Sequence, residues 1–98
     1  MKTSSIYHVC VEGEATCTEP WVGTFDWVPE KSDILEAIEL DILDLSTAVE
    51  HEADRIRDYR ILQEVVRSIS HMETVQTVYV AGTKIGKIHV SEKKIFTK

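Results

Sequence analysis

Asparagine is missing altogether from the 98 residues, glycine occurs only four times, and proline and cysteine twice each. Without asparagine the chain has no N-glycosylation acceptor and no Asn-Gly hairpin, so its turns must rest on Gly, Pro, Asp and Ser. Cys10 and Cys17 could face each other across a hairpin, but two cysteines are not the disulfide framework of a small secreted scaffold. No apolar run approaches the roughly 20 residues that cross a bilayer. Residues 1–5, Met-Lys-Thr-Ser-Ser, run straight into a strand-like stretch with no apolar leader region. These absences point to a soluble, cytoplasmic protein.

Signatures of catalysis are equally sparse. The glycines stand singly at Gly13, Gly23, Gly82 and Gly86, and residues 82–87 have the wrong spacing for a phosphate-binding loop. No serine or cysteine is flanked by glycines as in a nucleophile elbow. In Glu50-His51-Glu52, adjacent helical residues would point about 100° apart, and no second histidine follows at the spacing of a zinc protease. His8 and Cys10, with Cys17 in the next loop, give one short ligand pair where a zinc site wants two. The expectation is therefore no catalytic residue, no cofactor and no metal: a non-enzymatic chain.

What is present is a folded composition, 43% hydrophobic and 29% charged, which fits one domain spanning residues 1–98. The net charge of −6 argues against binding nucleic acid by neutralising phosphates. It is unevenly spread. Residues 30–58 hold ten acids against Lys31, Arg55 and Arg57, a net of −7, whereas residues 74–98 hold five lysines against Glu92, a net of +4. The C-terminal lysines read as edge-strand charges that discourage sheet-to-sheet pairing.

Residues 6–11 alternate, with Tyr7, Val9 and Val11 on one face and Ile6, His8 and Cys10 on the other, the period of a strand with one face buried. After a polar connection, residues 21–28 resume a β pattern in which Trp21, Phe25 and Trp27 share a core-facing side and Gly23 marks a bulge. A helix follows, with Asp33 and Glu36 as a capping box and Ser32 as the competing cap. Ile34, Leu35, Ile38, Ile42, Leu45 and Val49 form its apolar stripe. No glycine or proline occurs between Pro29 and Gly82. The segment reads as two helices, 33–45 and 47–70, the second opened by Thr47 with Glu50, or as one long bent helix. Ala53, Ile56, Tyr59, Leu62, Val66 and Ile69 repeat at helical spacing. Residues 75–81 and 85–90 make a second hairpin around a turn at Gly82-Thr83-Lys84, and residues 93–96 a short last strand. The fold class expected is α+β: an antiparallel sheet of four or five strands, in the order β-β-α-α-β-β, packed on one or two long helices.

Leu40 and Leu43 fall away from that apolar stripe, among acids. An ordinary surface helix has one apolar face, so this pair is surplus. Glu36, Glu39, Leu40, Asp41, Leu43, Asp44, Glu50 and Asp54 (with Glu52 in the same row) are the candidate partner-binding residues. Carboxylates spaced along a helix imitate the phosphates of a nucleic acid and fit a Lys/Arg-lined groove, while the leucines add an apolar anchor. In size, acidity and lack of motifs the chain is similar to the small proteins with which phages block host defences, anti-CRISPR proteins included. That likeness implies an inhibitor acting on a larger partner in a host cytoplasm and assigns no residue a role. It is the acidic helix surface that points to a basic partner surface, such as that of a nucleic-acid-binding protein. The alternative is a homodimer joined through Leu40 and Leu43.

Overall fold

The computed structural model describes residues 2–14, 20–47, 53–69 and 74–97. Strand β1 is Lys2–Gly13, β2 is Trp21–Phe25, helix α1 is Lys31–Ser46, α2 is Ala53–Arg67, β3 is Val75–Val80 and β4 is Thr83–Thr97. All pairings are antiparallel, and the strands lie in the order β2-β1-β4-β3. The α+β class and the β-β-α-α-β-β order are as expected from the sequence.

The alternation in β1 does what a period of two dictates. Val9 and Val11 are fully buried, Tyr7 packs beside them, and His8 is exposed on the opposite face. Across the register Val11 meets Trp21 and Ile88, and Val9 meets Val90, which builds one apolar side of the sheet. Helix α2 crosses the central strands β1 and β4, and α1 packs on α2 and on β2. Ile34, Ile38 and Ile42 of α1 and Leu62, Val65 and Val66 of α2 complete the core with Ile69, which follows α2. Lys31 fixes the antiparallel helix pair by donating from Nζ to the carbonyls of Arg67 (2.7 Å) and Ile69 (2.9 Å). The Arg67 carbonyl belongs to the last turn of α2, at the negative end of its dipole.

Several boundaries differ from expectation, each for a local reason. Strands 85–90 and 93–96 are one continuous β4, because β1 starts at Lys2 and pairs with it along its length to Thr97. The sheet thus has four strands, and Lys2–Ile6 with Lys93–Thr97 extend past both hairpin partners as a two-stranded ribbon. The second hairpin turns on Ala81-Gly82, one residue earlier than expected, with φ of 52° and 80°. Positive φ at both positions of a two-residue loop is the twist-matched hairpin turn. Gly23 marks no bulge, since β1 and β2 pair without a break there. A Cβ on it would run into the Trp21 ring, which lies over the backbone at that point. The irregularity is instead in β4, where Ile85 is the extra residue opposite the Val78/Tyr79 step.

The N-cap of α1 is Glu30, not Ser32 or Asp33. Asp33 occupies the third helical position and accepts from the Glu30 backbone N–H at 2.9 Å. Thr47 closes α1 as its C-cap rather than opening α2, with Oγ1 donating to the Asp44 carbonyl at 2.9 Å. Val49, Glu50 and Glu52 lie outside the described residues. Ala53, expected on the apolar side of α2, is exposed. Two of the three aromatics are core as expected; Trp27 is 54% exposed because β2 ends at Phe25 and the chain bends at Asp26 and Trp27. Its ring meets Phe25 edge-on at 5.5 Å, and its Nε1 donates to Asp33 Oδ2 at 3.1 Å.

Candidate interaction surface

On α1, Ile34, Ile38 and Ile42 recur every four residues and set the buried line. At about 100° per residue, Glu36, Leu40, Leu43 and Asp44 fall within one arc opposite that line. All four are exposed, Leu40 by 56% and Leu43 by 54%. The structure therefore brings together four of the eight expected residues in a patch where two carboxylates flank two leucines.

The flanks of the patch are engaged with the fold. Glu39 receives Arg60 Nη1 at 3.0 Å on both carboxylate oxygens, tying α1 to α2, and the same nitrogen reaches Gln63 Oε1 at 3.3 Å. Asp41 Oδ2 accepts from Trp21 Nε1 at 2.6 Å, a short charge-assisted bond between α1 and β2. Asp54 belongs to the exposed first turn of α2 and faces Arg57 Nη2 at 3.5 Å. Glu50 lies outside the described residues. Asp58, another acid of the run, is buried, with Arg57 Nε 3.9 Å from its Oδ1. The expected row of acids is thus a smaller patch bounded by two acids that hold the helix in place.

No family model, curated protein or solved structure matches this chain. Its surfaces speak through their chemistry.

The sheet face that carries His8 and Cys10 is the other place for a reactive centre. The register sets Cys10 directly opposite His89, with Glu12 and Lys87 in the next row joined at 3.3 Å. Sequence spacing alone separates Cys10 and His89 and gives no hint of this pairing. A thiol nucleophile needs a lowered pKa. Cys10 shifts the other way: burial raises it, Glu12 raises it further, and Lys87 offsets only part. Cys10 is a free thiol, and Cys17 lies outside the described residues. Among the described residues no three of His, Cys, Asp and Glu converge as metal ligands, and no helix is long and apolar enough to cross a membrane.

Proposed function

We propose that this chain is a non-enzymatic protein-binding domain, an inhibitor or adaptor of the phage anti-defence kind, which docks the outer face of α1 on a basic surface of a larger partner. The observation that carries this reading is the exposure of Leu40 and Leu43 on the outer face of α1, with Glu36 one turn before Leu40 and Asp44 one turn after it. Apolar side chains at the centre of a patch supply the area that drives association, and charges at the rim select the partner and speed encounter. Two carboxylates on a rigid helix offer a lysine- or arginine-lined groove the charge pattern it meets in a phosphate backbone. The bonds from Arg60 to Glu39 and from Trp21 to Asp41 favour binding by fixing the helix before it docks.

The test is retention of a partner from a cell lysate by the immobilised chain, identified by mass spectrometry and then measured with purified protein. Glu36→Lys with Asp44→Lys should abolish binding while thermal unfolding stays unchanged. Binding should also weaken as salt rises, since exposed charges are screened over about 10 Å at 0.1 M. Undiminished affinity in the double charge reversal refutes the proposal. Should Leu40→Glu lower the mass in sedimentation instead, the same leucines join two copies of the chain.

A further inference from the structure

We propose that β3 is the seam of a homodimer: its free edge pairs antiparallel with the same edge of a second copy, about a two-fold axis at Thr77. This surface is separate from the α1 patch and does not depend on it.

Among the described residues, strand β3 is an end strand of the sheet. Val90 donates to the Thr74 carbonyl at 2.7 Å, which marks that pair as hydrogen-bonded. Antiparallel pairs alternate, so Val75 opposite His89 and Thr77 opposite Lys87 turn their own N–H and C=O groups outward, away from β4. The two-residue turn closed by Val80 and Thr83 places Tyr79 in the same outward set. Three consecutive outward residues thus present a row of donors and acceptors.

Sheet edges that stay unpaired are ordinarily blunted by charge, proline, a bulge or short length. The β2 edge follows that rule: Pro20 directly precedes the strand and Asp26 directly follows it. The β3 edge does not. Residues 74–83 contain no charged side chain and no proline, the bulge falls on the partner strand, and Val75 and Tyr79 are 57% and 60% exposed.

A second copy of this strand is the occupant its side chains fit. Centring on Thr77 sets Thr77 opposite Thr77 and Val75 opposite Tyr79 twice over. Threonine pairs and aromatic–β-branched pairs are both favourable cross-strand neighbours. Gln76 then lies opposite Val78, and the two Gln76 side chains become diagonal neighbours at about 7–8 Å, within reach of each other. No like charges meet at the seam, although each chain carries −6.

Thr77→Pro tests the seam selectively. It deletes an N–H that points away from β4, and proline is tolerated on an edge strand with that side outward. Sedimentation equilibrium of the wild-type chain should give a dimer whose mass falls on dilution. The Thr77→Pro chain should dimerise roughly tenfold more weakly or worse, since a two-fold axis counts each lost bond twice. Its circular dichroism should be unchanged. Should Thr77→Pro fail to fold, Thr77→Lys leaves the backbone intact and sets two ammonium groups across the axis, with the same expected loss. Amide exchange at Val75, Thr77 and Tyr79 should slow as concentration rises, while Leu40→Glu leaves the mass untouched. A wild-type monomer at every concentration, or dimerisation unaffected by both Thr77 variants, overturns the proposal, as does binding at this edge by a foreign strand in place of a second copy. The Thr77 outcomes do not bear on the α1 patch, whereas the mass of Leu40→Glu tells a seam at β3 from one at the α1 leucines.

Discussion

Two acids five residues apart on α1 should respond to mutation in opposite ways. Asp41 holds the indole N–H of Trp21 at 2.6 Å, and Trp21 is only 2% exposed. Glu36 is exposed on the same helix. Hydrogen bonds to charged groups contribute about 1.5–3 kcal/mol, and Asp41→Ala also leaves a buried donor unsatisfied. Unfolding entropy of about 2.1 cal/mol/K per residue makes that a fall of roughly 7–15 °C in Tm for a chain of 98 residues. Glu36→Ala, a surface change, should stay within about 0.5 kcal/mol. Urea unfolding followed by circular dichroism resolves the two. A double-mutant cycle adding Trp21→Phe should give a coupling of roughly 1–3 kcal/mol. Equal stability of Asp41→Ala and Glu36→Ala would show that the Trp21 bond does not hold α1 to β2, and would return Asp41 to the free acidic patch.

Two further outcomes follow from local geometry. Ala81 carries a φ of 52°, a conformation costing an L-residue roughly 1–2 kcal/mol, so Ala81→Asn should raise stability by about 0.5–1 kcal/mol and Tm by a few degrees in calorimetry. Glu14 accepts from Lys84 at 2.8 Å, and this hydrogen bond holds its carboxyl below the usual range. Because the folded pKa is lowered, that contribution is present above the unfolded value of about 4.3 and is lost as pH falls through the folded one. Carboxyl NMR should place the Glu14 midpoint below that of an unpaired glutamate, and Lys84→Met should bring it back.

Periodicity made most of the architecture legible. Tyr7, Val9 and Val11 announced β1, the spacing of Ile34, Ile38 and Ile42 announced α1, and Leu40 and Leu43 stood out because they broke that spacing. What escaped is what depends on neighbours distant in sequence. Glu36 and Asp41 look alike in a helical projection, and only Trp21, folded over Gly23, makes one structural. Thr47 has the chemistry of either cap, and the end of α1 decides which carbonyls it meets. The length of β4 comes from pairing with residues 2–6, which carry little strand pattern of their own. The bare edge of β3 depends on sheet order, and nothing in residues 75–80 states who their neighbours are.

The central pair of the sheet has a kinetic consequence. Lys2 lies opposite Thr97 and Val9 opposite Val90, so the two middle strands are among the most distant segments of the chain. Loop-closure entropy must be met before such contacts return anything. The helical pair and the β3–β4 hairpin are local and can assemble early, whereas β1 can find its β4 partner only late. During synthesis, at about 5–20 residues per second, the apolar side of β1 waits without β4 until residues 83–97 have emerged.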